Sequence, residues 1–298
     1  MAQTYEKVVS RLKNIKAIEP LLGALRTISM GTWQTAQHKL SQMQQYQSHY
    51  DRILSQILPY INPDESNLAA SGANPNRVAD SIVLILGTER GLCGKFNEDL
   101  AEKALAWILE QDLSSHQTWV VGKRMVRTLT RTGVPFANQQ SITSGDLPTY
   151  RQSYLLTQGW IKQFEAYDFN QLFILYFKPG PGERPLFAAD QLLPYTIKRR
   201  SPSQENFEAD WPPPIIETNP EGIYHQLIQH YLASHLYQIL LESAVAENVF
   251  RFRMMEDAKQ NAEDIIIDLN REINAERRRK ITQEMQELAV GAGLIDNK

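Results

Sequence analysis

The residues whose types and spacing could do chemistry lie in the stretch GTERGLCGKFN, residues 87–97. A phosphate-binding loop requires a glycine five positions before its Gly-Lys pair and a serine or threonine directly after the lysine. Glu89 occupies the first of these positions and Phe96 the second, and the dinucleotide pattern G-x-G-x-x-G is absent as well. The stretch therefore argues against a nucleotide-binding enzyme, an alternative that a direct nucleotide titration would decide. Its glycines are predicted to serve backbone geometry.

The other chemistry-bearing side chains form no recognisable catalytic or metal-binding pattern. Cys93 is the only cysteine, so no intramolecular disulfide can form, and a thiol with no histidine nearby in sequence is more often buried than nucleophilic. Glu263 and Asp264 are adjacent and point in different directions on a predicted helix. We predict a non-catalytic chain with neither a metal nor a cofactor. The histidines, which lack the spacing of a zinc site, are His38, His49, His116, His225, His230 and His235.

The composition bounds the class of protein. The chain has 298 residues, of which 42% are hydrophobic and 22% charged, and its formal net charge is −3. These values are ordinary for a soluble globular protein and give no general case for nucleic-acid binding, which needs a basic footprint. No apolar run approaches the ~18–20 residues that span a bilayer, and the N-terminal stretch MAQTYEKVVSRLK predicts neither a signal peptide nor a transit peptide. We expect a reducing, cytoplasmic location, with any membrane role peripheral.

The first predicted element of the chain is a long helix, from about Thr4 to Tyr60. Apolar side chains recur there every seven residues, with companions three or four residues on, which is the pattern of a helix wound on a partner helix. Pro20 and Gly23 interrupt the pattern, and Pro20 is predicted to kink the helix locally. The two predicted rows are Val8, Ile15, Leu22, Ser29, Ala36, Met43, Tyr50 and Ile57, and Leu12, Ile18, Leu25, Trp33, Leu40, Tyr46 and Ile53.

A second long helix is predicted from about Pro220 to Ile295, with Asn219 as its N-cap. Its apolar residues recur at spacings of three and four, as in a coiled coil. Two striped helices in one chain bury both stripes if they wrap antiparallel around each other. The second stripe comprises Val245, Val249, Phe252, Met255, Ala258, Ala262, Ile266, Leu269 and Ile273.

Between the two helices, strands alternate with shorter helices, which predicts a small α/β sheet. The predicted fold class is therefore α/β plus a long antiparallel coiled coil, with the N- and C-terminal helices wound together and a small Rossmann-like α/β domain between them. Domains are predicted at 1–60, 61–218 and 219–298, with turn-rich links at 61–80 and 199–214. The predicted strands are 81–87, 118–122 and 171–178, and the predicted shorter helices are 97–111, 123–133 and 152–167.

The end of the second helix shows a break in its stripe. No large apolar residue stands between Ile273 and Ile281, and the basic run Arg277–Lys280 fills the gap. A solvated helix face is one interpretation. The other is that this end leaves its partner helix and enters a hole in another protein, acidic at the mouth and apolar beyond it. The apolar residues that return are Met285, Leu288, Ala289, Val290, Leu294 and Ile295.

At these residues the sequence resembles the gamma subunit family of F-type ATP synthases. The family's C-terminal pattern I-T-x-E-x-x-E/D-x-x-x-G-A is matched by Ile281, Thr282, Glu284, Glu287, Gly291 and Ala292, and RGLCGKFN (90–97) is similar to the family's R-G-L-C-G-x-F-N. Residues 234–262 also resemble a family segment, including Glu242, Glu247, Arg251, Met255, Asn261 and Ala262, and VGKR (121–124) and DQLLP (190–194) have close counterparts. The resemblance covers nearly the whole chain.

The resemblance implies a central-stalk rotor that transmits torque between a membrane ring of c subunits and the catalytic ring of alpha and beta subunits. It thereby implies a role in coupling ion translocation to ATP synthesis or hydrolysis, with the epsilon subunit as a further partner and a place at the cytoplasmic face of the cell membrane. The implied contacts with the alpha/beta ring are Arg277, Arg278, Ile281, Thr282, Glu284, Met285, Leu288, Val290, Leu294 and Leu25. The family's turn in the α/β foot is Arg90, Gly91, Leu92, Cys93, Gly94, Phe96 and Asn97.

The N-terminal helix departs from the family, whose pattern there is rich in lysine. In the corresponding run, residues 15–37, Leu25 stands at a methionine position, and Pro20 and Gly23 replace lysines. This favours a divergent form or the gamma subunit of a second ATPase operon. A non-catalytic scaffold descended from gamma, with other partners, is the alternative. The coupled ion, H⁺ or Na⁺, and the direction of the motor stay open at this stage.

Overall fold

The computed structural model describes residues 2–61, 81–113, 115–140, 147–166, 168–195 and 215–291, and the side chains of residues 2–4, 44, 183, 290 and 291 are outside that description. The predicted links at 61–80 and 199–214 therefore fall almost wholly outside the described residues, as do Leu294 and the side chain of Val290. The helices are α1 (Ala2–Ile57), α2 (Phe96–Glu110), α3 (Lys123–Thr132), α4 (Tyr150–Glu165) and α5 (Pro220–Gly291). The strands are β1 (Ser81–Leu86), β2 (His116–Val121), β3 (Asn138–Gln140), β4 (Gln171–Pro179) and β5 (Pro185–Leu193).

The five strands form one mixed sheet in the order β3-β2-β1-β4-β5. Strand β1 runs parallel to β2 and β4, so that Val83 faces Thr118 on one side and Phe173 on the other. Strand β5 is antiparallel to β4 at the edge. Strands β1, β2 and β4 and helices α2, α3 and α4 confirm the predicted alternation. Strands β3 and β5 were not predicted.

Side chains of the central strands alternate between two apolar layers, as the pleat of a strand requires. Ile82, Leu84 and Leu86 face one layer, which also contains residues of α4, α5 and the end of α1. Val83 and Ile85 face the other layer, which contains the apolar sides of α2 and α3. The α/β class is therefore confirmed, with helices on both faces of the sheet.

The chain divides into two compact units, residues 1–29 with 251–298, and residues 30–250. In the first, α1 and α5 pack antiparallel, with Val8 buried against Leu269 and Ile273. In the second, Ala36 packs on Val245 and Val249, while Leu40 packs on Tyr237 and Leu241. In both units the stripes of the two helices face each other, which confirms the predicted antiparallel pairing.

One of the two rows predicted on α1 is wrong in part. The row that starts at Val8 is buried or half-buried throughout, but Ile18, Tyr46 and Ile53 of the companion row are exposed. The helix instead turns the neighbouring positions inward, which are Glu19, Arg26, Gln47 and Leu54. A strict seven-residue repeat places them four residues after the first row. Three of the four are polar, and the prediction failed here because it assigned only apolar residues to the buried row.

The polar residues of this seam have partners. The Ser29 hydroxyl, 2% exposed, donates to the Leu25 carbonyl oxygen 2.9 Å away in its own helix. Arg26 Nε lies 2.7 Å from Glu256 Oε2, and its guanidinium lies 5.3 Å from the centroid of the Phe252 ring. Burial without a partner would cost far more than these contacts contribute. The seam is therefore an apolar interface with a few satisfied polar positions.

Candidate functional site

The last turns of α5 carry most of the predicted partner contacts, and all residues from 277 to 288 are exposed. Ile281, Met285 and Leu288 have exposed fractions of 56%, 66% and 72%. None of the three belongs to an apolar cluster of the described residues. We name residues 277–288 the free end of α5. In the chain on its own these side chains are exposed, and an end that enters another protein stays a prediction.

The base of the free end is anchored in the first unit. Ile273, 7% exposed, is the last buried residue of the stripe. Arg277 Nε donates to the Tyr5 hydroxyl at 3.3 Å. Beyond this point the charged residues pair along the same helix, with Arg279 Nη1 3.0 Å from Glu276 Oε1 and Lys280 Nζ 3.8 Å from Glu284 Oε1. Exposed pairs of this kind contribute little to stability, so these side chains can exchange them for ion pairs with another protein.

The other predicted contact residues on the two long helices lie as follows. Arg278 and Thr282 are exposed, and the Thr282 hydroxyl donates to the Arg278 carbonyl oxygen at 2.9 Å. Leu25 is half-buried in the first unit. Helix α1 continues through Pro20, and the local kink at that residue stays a prediction.

The turn at residues 87–97 is held by a hydrogen-bonded pair that the sequence did not reveal. The backbone N–H of Thr88 donates to Asn97 Oδ1 at 3.0 Å, and Asn97 Nδ2 donates back to Thr88 Oγ1 at 2.9 Å. Thr88 Oγ1 donates in turn to the Arg90 carbonyl oxygen at 2.9 Å. Both Thr88 and Asn97 are buried, where such bonds are costly to lose. Asn97 therefore fixes the path of the turn.

The apolar half of the turn connects it to the rest of the fold. Phe96, 1% exposed, lies edge-on to Phe177 of β4, with ring centroids 5.1 Å apart, and to Phe250 of α5, with centroids 5.7 Å apart. Cys93 is 3% exposed, and its thiol contacts the Gly91 carbonyl oxygen at 3.6 Å. These residues are packing groups, which agrees with the interpretation of Cys93 as a buried thiol. Arg90, Leu92 and Gly94 are exposed, and Gly91 is half-buried.

Gly122, the N-cap of α3, lies within the stretch 121–124 at a position that requires glycine. Its φ is 99°, in the region that favours glycine, and a Cβ there would lie 2.6 Å from the Gly87 carbonyl oxygen. The close approach joins the turn after β1 to the turn after β2. Both turns stand at the carboxyl ends of neighbouring parallel strands.

A polar cluster connects α5 to the edge of the sheet. The Tyr176 hydroxyl lies 2.8 Å from Asp190 Oδ2 and 2.9 Å from Glu242 Oε2. Burial and the two nearby carboxylates raise the pKa of Tyr176 strongly, so it remains a neutral donor. His235 lies near both acids on the α5 side, and its buried Nδ1 has no hydrogen-bond partner among the described residues. Burial lowers the pKa of His235, with the two acids opposing that shift.

Two classes of site can be tested directly over the described part of the chain. It contains no group of three metal-ligating side chains arranged to hold an ion. No helix in it combines the length and apolar character needed to cross a membrane. In the turn at residues 87–97, Phe96 stands where a phosphate-binding loop has serine or threonine, and its side chain is buried in the core.

Comparison with known proteins gives matches over nearly the whole chain. The profile of a family described as ATP synthase matches residues 4–293. The chain is 24% identical over 289 residues to the ATP synthase gamma chain of Clostridium perfringens, covering 96% of both chains. It is 23% identical over 282 residues to the ATP synthase gamma chain of Clostridium botulinum, covering 95% of both.

Solved structures show the same fold at lower sequence identity. One is a chain of the Euglena gracilis mitochondrial ATP synthase, in an assembly of OSCP, F1 and c-ring, with a TM-score of 0.62, 12% identity and coverage of 100% of this chain and 98% of that one. Another belongs to the rotor of the Euglena enzyme, with a TM-score of 0.60, 11% identity and coverage of 94% and 100%. A chain of the central stalk and c-ring assembly from Tetrahymena thermophila has a TM-score of 0.56, 15% identity and coverage of 80% and 99%.

Proposed function

The chain belongs to the gamma family of ATP synthases, and from this premise we propose that it is the central-stalk rotor subunit of an F-type ATP synthase. The family match over residues 4–293 is the basis of the assignment. The observation on the molecule that carries the proposal is the free end of α5, where all of the residues are exposed and three of them are large apolar side chains. An exposed apolar surface of this kind marks a site of protein contact.

The proposed partners follow from the family. The free end of α5 would turn inside the ring of alpha and beta subunits, and the α/β foot would rest on the c-ring and the epsilon subunit. The chain would then be peripheral to the membrane, on the cytoplasmic face of the cell membrane. The same assignment leaves a scaffold with unrelated partners without support, because the match covers both the coil and the foot.

The mechanism needs an asymmetric shaft that turns as one body with its foot. A coil of two unlike helices presents a different face to each of three otherwise equal catalytic sites, so each site is biased toward a different conformation. Rotation then moves each site through the three biases in order, and the coupling works in both directions because it is a free energy. The chain itself transmits torque and forms no bond with the nucleotide.

The second unit contains the contacts that would prevent α5 from slipping on its foot. Phe96 packs against Phe250 of α5 from one face of the sheet. Tyr176, on β4, donates a hydrogen bond to Glu242 of α5, eight residues before Phe250. An aromatic contact and a charge-assisted hydrogen bond fix both the distance and the rotation of α5 relative to the sheet.

The test is co-expression with the alpha and beta subunits from the same genome, followed by native mass spectrometry and an ATP hydrolysis assay. We expect one copy of this chain per three alpha and three beta subunits, and hydrolysis that depends on it. A stable hexamer that forms and hydrolyses ATP equally well without the chain would overturn the proposal.

A variant pair then separates the free end from general surface effects. Met285→Glu with Leu288→Glu places two acids where the proposed sleeve is apolar, and it should lower the amount of complex and its ATP hydrolysis. Leu109→Glu on α2 is the matched control, because Leu109 is 81% exposed on the foot. Equal losses from both variants would show that the free end has no special role.

A further inference from the structure

An open groove beside the turn at residues 90–94 is lined by four arginines. The groove has a volume of about 270 Å³, and Arg90, Arg124, Arg127 and Arg131 all line it. The single acid in its lining is Glu98, which forms an ion pair with Arg131. The lining therefore carries three positive charges in excess, on a chain whose net charge is −3.

Three of these arginines form one ridge on α3. Arg124, Arg127 and Arg131 follow the spacing i, i+3, i+7, so they share one face of the helix over about 10 Å at ~1.5 Å per residue. The opposite face is fixed in the core by Met125 and Leu129, which are fully buried. The ridge is consequently held toward solvent by the packing beneath it.

The ridge is closely joined to the turn. A Cβ on Gly91 would lie 2.8 Å from Arg124 Nη2, so the guanidinium lies directly over the turn's backbone. Arg124 and Arg127 form no ion pair with any of the described residues. The like charges of these two side chains repel each other, and a negative partner would relieve that repulsion.

Leu92 supplies an apolar contact at the same place. Its φ is 65°, in the left-handed region that a branched side chain rarely adopts, and its side chain is 56% exposed. Backbone strain of this kind clusters at functional sites and ligand clamps. The groove thus combines guanidinium groups with one projecting apolar side chain.

We propose that this groove is a docking surface for an acidic segment of a partner protein. Guanidinium groups bind carboxylates in two-pronged pairs, which explains four arginines where lysines would supply the same charge. A ridge about 10 Å long suits several carboxylates spaced along a chain rather than one small anion. The concave lining and Leu92 suit a protein segment rather than a flat bilayer surface.

The test uses the full chain and labelled peptides, so it does not depend on assembly of an ATP synthase. The probe is a fluorescent peptide of about 12 residues with six glutamates and two leucines, and its control peptide has glutamine in place of glutamate. Fluorescence anisotropy at about 50 mM NaCl should show saturable binding of the acidic peptide only. Binding should weaken as salt is raised, because the contacts are exposed to solvent.

Substitutions locate the binding surface. Replacing Arg124 and Arg127 with glutamine should weaken binding about 25-fold, at about fivefold for each exposed ion pair. The control replaces Arg52 and Arg151 with glutamine; both are exposed and lie away from the groove lining. Leu92→Ser should weaken binding a few-fold without changing its salt dependence.

Three outcomes would overturn the proposal. In the first, the double variant binds the peptide as tightly as the control does. In the second, about 10 mM inorganic phosphate at constant ionic strength displaces the peptide, which would indicate a site for a single oxyanion. In the third, vesicles with about 30% phosphatidylglycerol bind to the groove arginines while the peptide does not, which would indicate a membrane contact.

Discussion

Replacing Asn97 with alanine should expose the thiol of Cys93 to reagents that it normally excludes. Cys93 is the only cysteine in the chain and is 3% exposed. It lies within the turn at residues 87–97, and Asn97 holds that turn closed through two hydrogen bonds to Thr88. A buried thiol reacts only when its cover opens, so its labelling rate reports the opening equilibrium of the turn.

The magnitude follows from the bonds that are lost. Each hydrogen bond contributes about 1 kcal/mol, and the buried Thr88 N–H would have no acceptor in its place. The opening free energy should therefore fall by about 2 kcal/mol, which corresponds to about 30-fold faster labelling. Thr88→Ala keeps the backbone N–H and its acceptor, so its effect should be smaller, about tenfold or less.

The assay is the rate of thiol labelling with an aromatic disulfide reagent at neutral pH, under conditions where the far-ultraviolet circular dichroism shows the protein folded. Asn14→Ala is the control, because Asn14 is exposed on α1 and alanine favours a helix. If Asn97→Ala remains folded and Cys93 reacts within twofold of the parent rate, the Asn97 bonds do not hold the turn, and the reasoning fails.

Three further predictions concern stability. Burial lowers the pKa of His235, so the folded state binds fewer protons than the unfolded state below about pH 6.5. The free energy of unfolding, measured by urea titration, should therefore fall as the pH drops from about 6.5, and it should fall less steeply with pH in His235→Gln. Equal pH slopes for the parent and the variant would contradict this. Tyr176→Phe should lower the free energy of unfolding by about 2 kcal/mol, because two carboxylates lose their shared hydrogen-bond donor. The control Tyr60→Phe, at an exposed position, should leave the free energy of unfolding unchanged in the same titrations. Arg26→Ala should lower the free energy of unfolding by about 1 kcal/mol, since Arg26 forms a partly exposed ion pair with Glu256 and a cation–π contact with Phe252. An equal loss in the exposed control Arg11→Ala would show that Arg26 does not stabilise the interface between the two helices.

The sequence was sufficient for the central strands and both long helices because their signals are local. Residues 82–86 form a continuous apolar run, and Asn219 accepts a hydrogen bond from the Glu221 N–H at 3.1 Å, as its N-cap role predicts. Strand β3 has only the three polar residues Asn-Gln-Gln, and β5 contains Pro185 and Asp190, so neither has the apolar pattern of a buried strand. Both strands lie at the edges of the sheet, where pairing with a neighbour rather than residue type decides the structure.

Parts of the functional surface could be predicted, and others depend on long-range contacts. The free end of α5 was visible as a gap in a periodic pattern. The arginine groove was not, because Arg90 and the ridge on α3 come together only through the parallel pairing of β1 with β2. The spacing of Arg124, Arg127 and Arg131 was a signal within the sequence, since it places three like charges on one face of a helix. The bond between Thr88 and Asn97 has no sequence signature, as it depends on how tightly the turn closes.

The free end of α5 has a consequence for the life of the chain before it joins a complex. Ile281, Met285 and Leu288 would make an isolated chain prone to aggregate, yet charged residues stand before and between them. Charged residues that flank an unavoidable apolar stretch act as gatekeepers against self-association. We therefore expect the basic run Arg277–Lys280, together with Glu284 and Glu287, to oppose self-association of the newly made chain. A chain that lacked these charges would have to assemble with its partners during synthesis, because it would otherwise aggregate.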